Sequence, residues 1–475
     1  MLVATICWTR GLRFADPPEG MWDFFWQAIP KADLIARPWQ SIWRLHAQPP
    51  GYQLWGLFWL ALGGPERFPA NVQIGHVLLG GLVTAFSWKL AHALTGSRAW
   101  ATLAGLLTAL NPSLFLYEGY LIYEMLVIAL VTGAGVALWR TLREGRTRWL
   151  VLYCALLNLL VLTRSLYHLV FLAAALAPAW PALRRLRPWG RVLLLAGTFA
   201  LPVAWYGKNY CQYGFFGASS WFGMGLFKTV STYYLQPDWE AVEPAIRPDY
   251  PYVLDKYAYQ HAIAEYEAYG FDRESEVPLL SRNNLHNINV PEISAGYGAA
   301  ALKLIRLRPA LYLLAVLDGY GSFCRTPGTF VHLSVNWEQV PWLPVYREAI
   351  YGEWLESEFS VHLPFSIGSM MFFYFPALML GGCATVGYWR RRARARGLFD
   401  PRPWLLGWMV LVCVYVAIIG SLFENGENMR FRFATEPLTF AIGLLLIRGG
   451  WRRWLRPWPG RLRQSRGAAR RRPGR

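Results

Sequence analysis

The chain reads as an all-α polytopic membrane protein, and three observations carry that reading. The first is composition: 55% of the 475 residues are hydrophobic and 16% aromatic, while only 16% are charged, against roughly 25% charged in an average soluble chain. The second is a series of apolar runs matched to a bilayer core, which takes about 20 helical residues to cross. The third is where the net charge of +18 resides: in short basic loops beside those runs, "RTLREGRTR" and "RRRARARG", and in a tail from Arg448 to Arg475 that holds 11 arginines. That placement follows the positive-inside rule and anchoring at anionic headgroups, and it argues against nucleic acid as the partner of so basic a chain. The six cysteines have no metal-like spacing, and most sit inside apolar runs as small hydrophobes.

Taken in order, clear spans are expected at residues 69–95, 99–115, 119–140, 190–207, 366–390, 403–423 and 434–449. The apolar block 149–181 is interrupted by "TRS" at Thr163–Ser165 and flanked by basic clusters at both ends. It therefore crosses an even number of times, as a hairpin of two short spans with Arg164 near the outer face. Segment 211–308 carries 11 acidic and 8 basic residues and reads as external, while "RRRARARG" at 390–397 reads as internal. One crossing fits between them, at 366–390, so 309–325, with Asp318 near its middle, is expected to lie against the outer surface. Helices are also expected at 252–270 and 291–307, as an external cap that shapes the acceptor site. Counting back from "RTLREGRTR" puts residues 10–68 outside. The opening "MLVATICW" is too short to span and lacks the basic n-region and cleavage site of a signal peptide, which points to a truncated first helix or a start codon assigned too late. The expected whole has about 9–11 transmembrane helices. It divides into an N-terminal transmembrane module (1–210), an external helical and irregular region (211–365), C-terminal transmembrane helices (366–449) and a basic cytoplasmic tail (450–475).

With this topology the polar residues sort themselves. Asp16, Glu19, Asp23, His46 and Gln48 fall in the first external loop, and Glu118 and Glu124 in "YEGYLIYE". Arg164 and His168 fall in "TRSLYH", Lys208 and Asn209 in "WYGKNY", and Glu424, Glu427, Arg430 and Arg432 in "FENGENMRFRF". Charges at membrane depth are expensive and usually functional. Acids and arginines gathered on one rim fit a site that handles an anionic headgroup from the lipid side.

Several of these stretches resemble the GT-C glycosyltransferases. "DPPEGMWDFFWQAIPKADL…SIWRLHAQPPGYQLWG" is similar to their first external loop, where an acid soon after the first helix is followed by "QPP" and an aromatic residue. "NPSLFLYEGYLIYE" is similar to their acid-bearing second external loop. "VLTRSLYH", "KNYCQYGFFGASSW" and "ENMRFRFATEP" resemble elements of a bacterial branch near the lipopolysaccharide-core galacturonosyltransferases, the aminoarabinose lipid A transferases and the protein O-mannosyltransferases. The resemblance covers most of residues 10–440. It implies a polyprenyl-phosphate sugar donor, transfer to a lipid, glycan or protein acceptor on the non-cytoplasmic face, and inversion at the anomeric carbon. Localisation would be the bacterial inner membrane, with a cytoplasmic C-terminus. Two departures stand out: the first helix is nearly absent, and "ADPPEGMWD" replaces the usual "DE" pair.

The residue types fit that chemistry on their own terms. An acceptor hydroxyl needs a carboxylate within hydrogen-bond reach to take its proton, as in inverting glycosidases with the acceptor in place of water. Asp16, Asp23 and Glu118 are the candidates. Asp16 equally suits a helix cap or turn, Asp23 a solvent-facing position, and Glu118 a structural acid. The leaving group is a phosphate, which arginine holds with a planar fork. Arg164, Arg430, Arg432 and Lys208 are the candidate donor ligands, with His46, Gln48 and His168. For the arginines the competing role is snorkelling to lipid phosphate, and for His168 a plain buried position. His168 follows Arg164 by four residues and is expected on its helical face. "RFR" puts both its arginines on one side only in an extended chain. No Gly-rich nucleotide loop and no His/Cys/Asp cluster of metal spacing occurs, though two carboxylates could recruit a divalent ion. The alternatives are a flippase of lipid-linked saccharides and an inactive lipid-sugar-binding relative. Transporters favour midplane sites on repeated halves, and no internal repeat is visible here.

The topology is open to a direct test. Cysteine probes near residues 46, 118, 260 and 428 should label with a membrane-impermeant reagent from the non-cytoplasmic side, and one near 395 should not. Labelling of 395 from outside would break the parity argument.

Overall fold

The computed structural model describes Trp22 and residues 28–246, 248–249, 290–359 and 363–454. All regular structure among them is helical. Two short helices, α1 (Lys31–Ala36) and α2 (Pro38–Arg44), precede the long α3 (Gly51–Thr95). α3 is broken at Gly64, whose φ of 71° favours glycine, immediately before Pro65, whose missing N–H cannot continue the ladder. There follow α4 (Arg98–Ala109) and α5 (Pro112–Glu118), bent 47° apart. Asn111 starts α5 by accepting the Ser113 N–H at 2.9 Å, and Pro112 takes the first helical position, where proline is cheapest.

The chain continues through α6 (Glu124–Glu144), α7 (Thr147–Val161), α8 (Leu169–Leu176) and α9 (Pro188–Tyr213). Next come α10 (Phe222–Ser231), α11 (Gln236–Val242), α12 (Val290–Leu307) and α13 (Pro309–Cys324). The last elements are α14 (Met371–Ala395), α15 (Arg402–Phe423), α16 (Asn428–Phe433) and α17 (Glu436–Trp454).

Among the described residues, five helices are long and apolar enough to cross a membrane, α3, α6, α9, α14 and α15, and the bent α4–α5 pair makes a sixth. Two shorter apolar helices lie at 147–161 and 169–183. This is a multi-pass membrane protein. α6 is its central post: 83% of its most apolar stretch is buried, against 22% for α9 and α14, whose remaining faces are left to lipid. α6 packs on α3, α7 and α15, and α17 closes the bundle against α3. The main core runs through these helices. A second, smaller core forms where α10, α11 and α12 meet around Phe227, Trp239 and Tyr297.

Three element boundaries differ from expectation for local reasons. The span expected at 119–140 begins at Glu124, because Gly119–Tyr123 forms a turn in which the Ile122 N–H reaches back to the Tyr120 carbonyl at 2.8 Å. The span expected at 366–390 begins at Met371, where the Ser369 hydroxyl accepts the Met371 N–H at 3.1 Å. The hairpin expected at 149–181 is present as α7 and α8, but Arg164 and His168 sit in the turn between them and do not share a helical face. That turn is set by tertiary bonds: the Leu162 carbonyl accepts from the Gly51 N–H at 2.6 Å, and Gln48 Oε1 accepts from the Ser165 N–H at 3.4 Å. The helix expected at 291–307 is α12; the one expected at 252–270 lies outside the described residues.

Candidate functional site

The first-loop stretch Arg44–Pro50 is clamped from three sides. Tyr213 Oη donates to the Arg44 carbonyl at 2.5 Å, Lys208 Nζ to the Leu45 carbonyl at 2.5 Å, and Ser219 Oγ to the Ala47 carbonyl at 2.5 Å. His46 Nδ1 and Ser220 Oγ are 2.9 Å apart, the Ser220 N–H donates to the His46 carbonyl at 2.9 Å, and the imidazole stands edge-on to Tyr213. "RLHAQPP", "TRS" and "KNYCQYGFFGASSW" are therefore one hydrogen-bonded unit. The carbonyls of Arg44, Leu45, His46 and Ala47 are all satisfied within it, as burial of backbone carbonyls requires.

Beside this unit a cavity of about 1760 Å³ opens between the main bundle and the α10–α12 layer. It exceeds the roughly 300–1,000 Å³ of ordinary small-ligand pockets. One end is charged and carries Arg164, Lys228, Arg430, Glu424 and Glu427, with Gln48, His168, His332 and Tyr120 around them. The walls leading to it are apolar, among them Phe216, Phe222, Leu302, Ile305 and Phe423, and Phe216, Phe222 and Leu302 are exposed at the protein surface.

The charged groups form a continuous chain. Arg164 Nη1 meets Glu124 Oε1 at 3.1 Å, and Arg430 Nε approaches the same oxygen at 3.8 Å. Arg430 Nη2 pairs with Glu427 Oε2 at 3.1 Å. Lys228 Nζ lies 4.0 Å from Glu427 and 2.7 Å from Glu424. Arg164 is also sandwiched between the rings of Tyr123 (4.7 Å) and Phe431 (4.4 Å), which holds a guanidinium in place after its water has gone. The two acids at the open end are driven in opposite directions. The Arg430 guanidinium beside Glu427 holds that carboxyl below its usual range, whereas burial pushes the Glu424 carboxyl up despite Lys228. Of the described residues lining the cavity, three are Lys or Arg and two are Glu, and Glu124 behind the arginines brings the chain to three charges of each sign.

The residues singled out in the sequence divide accordingly. Gln48, Arg164, His168 and Arg430 line the cavity. His46 and Lys208 are buried behind it in the loop clamp, Lys208 with its ammonium 3.9 Å from the Trp205 ring. Arg432 points elsewhere, because residues two apart on a helix lie about 200° apart; it donates to the Cys324 carbonyl at 2.7 Å and stacks over Tyr351. Glu118 is buried at the end of α5, against Gly80. Asp16 and Asp23 lie outside the described residues. Nothing in the sequence marks Lys228: it stands alone in "FGMGLFKTVS", and only the fold brings it to Glu424, 196 positions away. Among the described residues no three His, Cys, Asp or Glu side chains converge as a metal ion would require.

No protein-family model matches the chain, and no curated protein matches it. Solved structures with a similar course include ArnT from Cupriavidus metallidurans in the apo state (TM-score 0.31, 16% identity) and the same protein bound to undecaprenyl phosphate (TM-score 0.29, 15% identity). Each likeness covers 91% of this chain and 76% of that chain.

The Arg164–Glu124 pair is almost fully buried, so removing one partner strands the other in a water-poor site. Glu124→Leu alone should cost about 3–5 kcal/mol and lower the melting temperature in detergent. Glu124→Leu combined with Arg164→Leu should recover much of that loss. Additive losses in the double mutant would show that the two charges are not a coupled pair.

Proposed function

We propose that the protein is a GT-C-type glycosyltransferase that takes a sugar from a polyprenyl-phosphate donor. The observation that carries this reading is the cavity's lining, apolar walls together with a cluster of paired charges that includes Arg164, Arg430 and Lys228. That is the complement of an amphiphile with an anionic head, and the sequence motifs that resemble the GT-C family converge on it. Arginine forks suit a phosphate bidentately, and lysine serves as a point charge. Arg164 and Arg430 are thus assigned to the donor phosphate, with Lys228 beside them and Gln48 and His168 toward the sugar. The volume leaves room for part of the lipid chain and for an acceptor.

In the reaction the acceptor oxygen attacks the anomeric carbon from the face opposite the phosphate. The bond from that carbon to the phosphate oxygen breaks, and its electron pair leaves with the polyprenyl phosphate. A carboxylate takes the acceptor's proton; the first-loop acids Asp16 and Asp23 and the second-loop Glu118 are the sequence candidates. The arginines act chiefly in the transition state, where negative charge builds on the departing oxygen. Transfer is assigned to the non-cytoplasmic face of the membrane. The gathering of the charged groups at one end of the bundle supports an enzyme over a transporter, whose site belongs nearer the midplane.

Mass spectrometry of envelope glycolipids and glycoproteins from cells with and without the gene tests this. One sugar should be missing without it, restored by the wild-type chain and not by Arg430→Lys expressed at equal level. An unchanged set of glycans in the deletion strain would refute the reading.

A further inference from the structure

Glu427 is placed unlike the other acids of the site. Glu124 is shut in behind the arginines at 1% exposure, and Glu424 is half-buried at 19% exposure, held by Lys228 at 2.7 Å with the Asn425 N–H at 3.2 Å. Glu427 lines the cavity with its side chain 32% exposed, and both of its counter-ions, Arg430 at 3.1 Å and Lys228 at 4.0 Å, are among the cations a donor phosphate would engage. The other groups facing it are Glu424 on its own segment, Arg164 from the α7–α8 turn, His332 from the loop after α13, and Tyr120 and Tyr123 before α6. A phosphate and this carboxylate thus compete for the same two cations.

We infer that Glu427 is the base that accepts the acceptor's proton, and that the donor's phosphate switches it on by drawing Arg430 and Lys228 away from it. This rests on the function proposed above and assigns a new role within that site. In the empty protein Glu427 is a weak base, because Arg430 beside it holds the carboxyl below its ordinary range. When phosphate takes the guanidinium, that constraint relaxes and proton affinity rises. The charge then balances through the step. The acceptor O–H proton moves to Glu427, which loses one negative charge. The phosphate gains one as the glycosidic electron pair departs with it. Arg430 and Lys228, standing between the two, see a constant total charge, so the transfer needs little rearrangement of the site. Water reaching the unloaded site meets a neutralised carboxylate.

Undecaprenyl phosphate in lipid nanodiscs is a suitable probe, since its binding can be measured without knowing the sugar or acceptor. Removing the competing carboxylate in Glu427→Gln should tighten its binding, by roughly tenfold for one charge-assisted bond no longer contested. In the cell the same variant should fail to restore the missing envelope sugar, as expected for loss of a base worth about 10²–10⁴-fold. Calorimetry in buffers of different ionisation enthalpy should show that binding takes up a fraction of a proton more in the wild type than in Glu427→Gln. Were Glu427 only a prop for Arg430, the variant would bind undecaprenyl phosphate more weakly; that result, or full restoration of the sugar by Glu427→Gln, overturns the inference while leaving the proposed function standing. Failure of the wild type to bind undecaprenyl phosphate at all would remove both. Glu427→Asp, which keeps the carboxylate, should retain weak binding and partial sugar transfer, and loss equal to that of the Gln variant would count against the base.

Discussion

The arrangement around the cavity depends on the pairing of Arg164 with Glu124 inside the bundle. Both are nearly inaccessible to water, and a lone guanidinium or carboxylate at that depth would be ruinous, whereas a pair is tolerable when its geometry is good. The pair ties the α7–α8 turn to the first turn of α6, and through Arg430 it ties both to α16. Phe431 and Tyr123 close on the Arg164 guanidinium from either side. Three segments far apart in the chain are thereby held at one spot beside the cavity, which both arginines line.

The loop that carries Gln48 supplies the other fixed wall. Its carbonyls are taken by Tyr213, Lys208 and Ser219, and its histidine by Ser220. A loop whose backbone groups are engaged in this way behaves as part of the scaffold rather than as a mobile connection. His46 and Lys208 thereby set the position of Gln48, two residues beyond His46, at the cavity's edge. The α10–α12 layer faces this wall across the opening and contributes Lys228. A charged end made by the bundle and an apolar approach shared with that layer follow from this construction.

Much of this was legible in the sequence, for reasons that can be traced to particular residues. The helical, membrane-spanning class follows from apolar runs and the placement of arginines, and these depend only on local composition. Arg164 and Arg430 stood out because a charge beside an apolar run needs a reason. What local pattern cannot contain is a partner. Nothing in "HAQPP" reveals that its histidine would meet Ser220, 174 positions away. Lys228 was hidden because a lysine in a segment read as an external loop is ordinary. The two arginines of "RFR" separated once that stretch proved helical, a matter settled by packing against α13 and α15. The turn at Arg164 overrode the i, i+4 reading through bonds to Gly51 and Gln48, neither adjacent in sequence.

The central claim is that the charged end of this cavity receives a lipid-linked phosphate. Electron cryomicroscopy of the protein in nanodiscs saturated with undecaprenyl phosphate tests it most directly. The account predicts phosphate density within hydrogen-bond reach of the Arg430 guanidinium, about 2.7–2.9 Å for a charge-assisted bond, beside Arg164 and Lys228, with the lipid chain leaving along Phe222 and Leu302. An empty cavity, with the phosphate density found instead at the arginine-rich helix ends at 140–148 and 390–396, would contradict it.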